Sequence, residues 1–196
     1  MDEQILRNLL DRNNGYLRIA DAMNAGVSRT LTMQFAKNEK LKKAAHGIYV
    51  AEDAWPDPLY LLQARNTKII FSHETALFLH GLSDREALHP VLTVKRGYNA
   101  MHLTSQGVTV HTVRAEWFEI GLTVTLTTVG NEVRVYDKER CICDIILKRK
   151  KMDIQTFQIA IKSYFVDEDK DIHRLMKYAQ QMNLEEKVRQ YTEVML

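Results

Sequence analysis

Apolar residues recur along the chain with two different periods. In residues 2–12, Ile5, Leu6, Leu9 and Leu10 form a stripe at helical spacing. Asp2 and Glu3 suit the positive end of that helix, and Asn13-Asn14-Gly15 closes it. A short apolar-periodic segment follows (Leu17, Ile19, Ala20, Ala22, Met23) and stops at Asn24-Ala25-Gly26. A third segment opens at Ser28. Val27, Leu31 and Phe35, at i, i+4 and i+8, stack on one stripe and leave Arg29, Thr30, Met33, Gln34 and Lys37 elsewhere. The basic run Lys40-Leu41-Lys42-Lys43 then leads through His46-Gly47 into Ile48-Tyr49-Val50, the composition of a hairpin. Two helices, a tight turn and a basic hairpin predict a winged helix-turn-helix, which places one helix in the major groove of duplex DNA and cations on the flanking phosphates.

Beyond residue 53 the pattern changes. Asp57-Pro58 reads as a cap followed by proline at the first position of a helix that runs to about Asn66. Lys68–Phe71 reads as a short strand, and Ser72 as the cap of a helix that Gly81 stops. From Val91 to Tyr136 the period is two: 91–94, 108–113 and 122–127 alternate apolar residues with Thr, each a strand with one buried face. Gly130-Asn131 predicts a tight hairpin into 133–136, so a mainly antiparallel sheet is expected. Helical spacing then returns. Asp137 caps a helix carrying Cys141, Ile142, Ile145 and Ile146, and three more helices are expected near 154–165, 169–182 and 184–195. The fold class is therefore α+β: a winged helix-turn-helix over 1–53, then 54–196 with a mainly antiparallel sheet and a helical C-terminal segment.

Composition narrows the function classes. With 45% hydrophobic and 27% charged residues, the 196-residue chain reads as an ordinary globular protein. No apolar run reaches the roughly 18–20 residues that span a bilayer, and the acidic, polar N-terminus is no secretory signal, so no membrane partner and a cytoplasmic location are expected. The two cysteines are two apart in a helix and point to different faces, which fits reduced thiols rather than a bridge. Net charge is only +2, but residues 1–50 hold eight Lys and Arg against five Asp and Glu, while 51–136 are net acidic. The positive excess lies where DNA contact needs it.

Within the expected interface, Arg29 in the first helical turn is the best candidate to read a base edge, with Thr30 and Gln34 beside it. Lys37, Lys40, Lys42, Lys43 and His46 would supply sequence-independent attraction to phosphate. Catalysis and metal binding are not expected, and no cofactor is implied. His73 and His80, seven apart, stand about 10 Å apart along a helix, too far to share one zinc ion. Glu132, Asp137, Asp144 and Lys148 could be assembled into a nuclease-like cluster. Asp137 is already explained as a cap, however, and Asp144 with Lys148 as an i, i+4 pair. No glycine-rich phosphate loop or recognised hydrolase motif occurs.

Leu41-Lys42-Lys43 with His46-Gly47-Ile48-Tyr49-Val50 resembles the N-terminal domain of AbiEi-family antitoxins. The likeness continues through Phe71-Ser72-His73-Glu74-Thr75-Ala76-Leu77, Leu79-His80-Gly81-Leu82-Ser83, Val91-Leu92-Thr93-Val94 and Val135-Tyr136-Asp137-Lys138-Glu139-Arg140, so it spans nearly the whole chain. It implies a type IV toxin–antitoxin abortive-infection system. In such a system the antitoxin counters a nucleotidyltransferase-like toxin without needing a stable complex, and represses the shared promoter by binding inverted-repeat DNA. Lys42, Lys43 and His46 stand where many relatives carry arginine. A monomer in solution that binds cooperatively on DNA is compatible with this picture. Lys148, Arg149, Lys150 and Lys151 would then form an antitoxin surface, a further DNA or RNA contact, or simply a hydrated helix end. The alternatives to the whole reading are a neutraliser that binds the toxin directly and a stand-alone regulator.

Overall fold

The first apolar stripe folds as α1 (Asp2–Arg12), with Asp2 and Glu3 in its first turn and Leu6 buried beneath it. The computed structural model describes residues 1–195. After α1 the chain forms β1 (Tyr16–Arg18), α2 (Ile19–Asn24), α3 (Arg29–Asn38), β2 (Lys42–Ala45), β3 (Ile48–Val50) and α4 (Pro58–Arg65). The three strands make an antiparallel sheet in the order β1-β3-β2, with Leu17 opposite Tyr49 and Lys43 on the other side of that same tyrosine. Leu6, Leu17, Ala22, Val27 and Phe35 form the core that α1, α2 and α3 share.

Two details differ from the periodicity. The segment expected to be helical from Leu17 begins as a strand, because Tyr16–Arg18 pairs with β3, and helix starts only at Ile19. Short apolar runs suit either state, and pairing decided this one. In α3 the buried stripe is Thr32, Phe35 and Ala36, while Leu31 is 44% exposed. Thr32 can be buried because its hydroxyl donates to the Ser28 carbonyl at 2.9 Å.

Helix α4 starts as its dipeptide predicts. Asp57 Oδ1 accepts from the Tyr60 N–H at 2.9 Å, and Pro58 stands at the first position. Asp57 Oδ2 accepts from Thr127 Oγ1 at 2.6 Å and Asn131 Nδ2 at 2.8 Å. Residues 126–133 accordingly belong with residues 1–67 as one compact unit, and 68–125 with 134–196 as another.

The second unit is built on β4 (Ile70–Phe71), α5 (His73–Leu79), β5 (Val91–Lys95), α6 (Met101–Thr104), β6 (Thr109–Val113), α7 (Ala115–Phe118), β7 (Leu122–Leu126) and β8 (Glu132–Tyr136). Four helices follow: α8 (Lys138–Leu147), α9 (Ile154–Val166), α10 (Ile172–Gln181) and α11 (Glu185–Met195). The strand order is β6-β5-β4-β8-β7. The sheet is mixed rather than mainly antiparallel: β5 pairs with β6 and β4 with β8 in parallel, and β4 with β5 antiparallel. The chain between β5 and β6, which carries α6, is long enough for the crossover that a parallel pair requires. Edge strand β7 also departs from the expected burial. Its alternation is present, but Leu122, Val124 and Leu126 are exposed and the threonines lie inward.

Helix α8 is the spine of this unit. Asp137 caps it by accepting the Arg140 N–H, and every residue from Glu139 to Ile146 is buried. Arg140 is fully buried. Its Nε donates to Asp144 Oδ1 at 3.0 Å, Nη1 donates to the carbonyls of Trp117 and Ile120, and the guanidinium lies 4.2 Å from the Tyr136 ring. Asp144 thus pairs with Arg140, one turn back, and not with Lys148. Gly121 makes room for this arrangement, since a Cβ there would collide with Arg140 Cβ. Cys141 and Cys143 are buried, unpaired thiols, and burial pushes both well above the ordinary thiol value. Among the described residues no helix is long and apolar enough to cross a membrane.

Candidate nucleic-acid interface

Ser28 fixes the start of α3: its hydroxyl accepts the Leu31 N–H at 3.3 Å. With Thr32, Phe35 and Ala36 turned to the core, the helical period leaves Arg29, Thr30, Gln34 and Lys37 on the opposite, exposed side, with Met33 among them. All four predicted side chains therefore share one solvent-facing surface. The helix ends through Lys40, which adopts a left-handed backbone (φ 55°). Its N–H donates to the Lys37 carbonyl and the Leu41 N–H to that of Ala36.

The hairpin β2–β3 follows directly. Lys42 and Lys43 are exposed, and so is His46 at the turn, where Gly47 supplies a positive φ of 69°. Arg29 and His46 line the same shallow depression, with Arg18 and Met23, so the start of α3 and the hairpin turn adjoin. Lys42 is not a free cation: its Nζ lies 2.8 Å from Glu52 Oε1, and that hydrogen bond and charge hold the Glu52 carboxyl below its ordinary value. Phosphate would have to displace Glu52 there, whereas Lys43 faces no such competitor among the described ion pairs.

Two participants escaped the sequence reading. Arg18, half-buried, joins the depression beside Arg29. Arg65 of α4 donates to the Ala44 carbonyl at 2.7 Å and so braces β2. Neither lies in the basic run, and no periodicity points to them.

The cationic run of the second unit does not form one surface. Lys148 caps the end of α8 and is half-buried, and Arg149–Lys151 form a short 3-10 turn. The Arg149 guanidinium sits 4.4 Å from the Phe157 ring, and Lys150 projects outward. Lys148 and Lys151 instead line a cavity with His73 and His111. The histidines seven apart do not meet: His80 Nε2 is 2.7 Å from the Tyr136 carbonyl, while His73 is buried and stacked on His111. Among the described residues no group of three His, Cys, Asp or Glu side chains is placed to hold a metal.

No family model matches the chain, and no curated protein matches it in sequence. Among solved structures, that of the RV2827C protein from Mycobacterium tuberculosis has a similar fold, with a TM-score of 0.54 and 12% sequence identity. The likeness covers 93% of this chain and 75% of that one, and at such identity it speaks for the fold alone.

Proposed function

We propose that residues 1–67 act as a winged helix-turn-helix that binds promoter DNA, and that the protein is the antitoxin of a type IV toxin–antitoxin system which represses its own promoter. The observation that carries the DNA half is the single exposed face of α3, with Arg29, Thr30, Gln34 and Lys37, beside a hairpin that presents Lys43 and His46. In this reading α3 is the recognition helix and β2–β3 the wing. Arg29 reads a base edge, which is worth roughly 1–3 kcal/mol of discrimination, and Lys37, Lys40, Lys42, Lys43 and His46 neutralise phosphates. Two copies on an inverted repeat obstruct polymerase. The antitoxin half rests on the resemblance of the segments around 71–94 and 135–140 to AbiEi-family antitoxins.

Gel shifts with the protein's own upstream region test the first half. Arg29→Ala is expected to erase the preference for that region over a scrambled duplex. Lys43→Ala is expected to weaken both duplexes alike and to lower the salt slope by about 1. Equal affinity of the unaltered protein for both duplexes would remove the repressor reading.

A second reading, neutralisation by direct contact with a toxin, draws on β7, whose Leu122, Val124 and Leu126 are exposed on an edge strand. Co-purification of differently tagged antitoxin and neighbouring nucleotidyltransferase-like protein separates the two. A stable complex that Val124→Lys abolishes would favour direct contact.

A further inference from the structure

We infer that the second unit holds a binding site for a small organic phosphate, in the cavity formed by α5, β5, β6 and the end of α8. The cavity measures about 350 Å³, and His73, His111, Lys148 and Lys151 line it together with Leu88, Val91 and Met152. This inference is independent of the DNA-binding reading, which concerns the other unit.

His73 Nε2 is the first pointer. It is buried and has no hydrogen-bond partner, on a residue that is only 4% exposed and lines the cavity. The other ring nitrogen, Nδ1, lies 3.0 Å from Ser72 Oγ. That hydroxyl accepts from Thr93 Oγ1 at 2.8 Å and keeps both a second lone pair and its own proton for Nδ1, so it can serve either ring tautomer. Nε2 is therefore an unpartnered polar atom, donor or acceptor by tautomer, on a residue of the cavity wall. As an N–H donor it suits an oxyanion.

Charge points the same way. Neither Lys148 nor Lys151 takes part in an ion pair among the described residues, and Glu74 is the one carboxylate on the cavity wall. Two ammonium groups on the wall that also carries His73 suit a phosphate, whose several acceptor oxygens can engage both. The cavity lies within the size range of small-molecule sites and exceeds what a bare ion fills. Leu88, Val91 and Met152 give the remainder an apolar wall for an organic body. The backbone of His73 is also left-handed (φ 48°), an uncommon conformation for a residue other than glycine.

The test is calorimetric titration of the full chain with glucose 6-phosphate, adenosine 5′-monophosphate, inorganic phosphate and adenosine, at matched ionic strength. Imidazole nitrogen spectra read His73 in parallel. At least one of the two organic phosphates is expected to bind at least about tenfold more tightly than inorganic phosphate, and to shift the His73 Nε2 resonance. The double variant Lys148→Gln/Lys151→Gln is expected to lose about tenfold or more of that affinity, as charge-assisted hydrogen bonds disappear. Its melting temperature without ligand should stay near that of the unaltered protein. His73→Gln, which keeps a donor N–H near the same place, should retain binding if it folds; the lysine pair decides the matter if it does not. The inference is overturned if neither organic phosphate binds by about 5 mM, a level of very weak affinity. It is equally overturned if adenosine or inorganic phosphate binds as well as the organic phosphates, or if the lysine variant binds unchanged. Tighter binding of a 5′-phosphorylated RNA oligonucleotide than of either small probe would assign the cavity to a nucleic-acid end and overturn it too.

Discussion

His73 and His111 stack with ring centroids 3.7 Å apart and planes only 17° from parallel. Burial, with the charges of Arg140 and Lys148 behind it, lowers the His73 imidazole to about 3. Burial, His73, Lys148 and Lys151 lower His111 to about 4, with Asp144 acting in the opposite sense. In the unfolded chain both rings take up protons near 6.5. Between about pH 6.5 and 4 the unfolded state therefore binds more protons, and stability falls as pH falls through that window. Each ring contributes up to about 1.4 kcal/mol per pH unit. Burial raises the Asp137 and Asp144 carboxyls, which hold protons in the folded state above the ordinary carboxylate range and so offset part of this loss. Urea unfolding at pH 7 and pH 5 is expected to show a clear loss at the lower value, and His111→Gln to roughly halve the slope. A flat profile would mean that these rings are not held neutral inside. The sequence places both histidines, one before a helix and one in a strand, but nothing in it brings residue 73 against residue 111.

At the scale of elements, capping is what was most legible. Ser28, Asp57 and Asp137, each expected to open a helix, accept the backbone N–H three residues on; Asp153 and Asp171 do the same before α9 and α10, where no cap was expected. Ser72 stands at the same position before α5 and makes no such bond, because its hydroxyl is engaged by Thr93 and His73 in the interior. The end of α3 carries a prediction. Lys40 holds a left-handed backbone that costs a non-glycine residue on the order of 1 kcal/mol, so Lys40→Gly should raise thermal stability. If Lys40 also meets phosphate, the same variant should bind DNA more weakly, with a salt slope lower by about 1. A stabilised variant with unchanged DNA affinity would release Lys40 from the interface and keep it only as the helix stop. Strand β7 teaches the complementary lesson. Its alternation of Leu and Val with Thr was plain, yet the apolar side came out exposed. A period of two defines two faces without saying which one is covered.

At the scale of the whole chain, the first unit is discontinuous: residues 126–133 complete what residues 1–67 begin. Asp57 is only 1% exposed and has Thr127 and Asn131 as partners across some 70 residues of sequence. A fragment ending at Thr67 strips both from a buried carboxylate, a loss of about 1–3 kcal/mol for each. Its circular-dichroism melt is expected to lie well below that of the full chain and to lose cooperativity; full-chain-like melting would refute this role for 126–133. Point variants are therefore better than truncations for testing the proposed DNA binding apart from the proposed antitoxin activity. By itself the sequence determined the run of α1, α3 and α8, the caps of α3 and α8, the β2–β3 and β7–β8 hairpins, and the exposed basic face of α3. These follow from periodicity, caps and turn residues, which act within a few positions of one another. Only the tertiary structure decided that Tyr16–Arg18 would be a strand, that the sheet would be mixed, that Asp144 would pair with Arg140, and that Lys148 and Lys151 would flank His73 and His111. Each of those outcomes depends on which surfaces are buried against each other, and local periodicity is silent about partners that the chain brings together from afar.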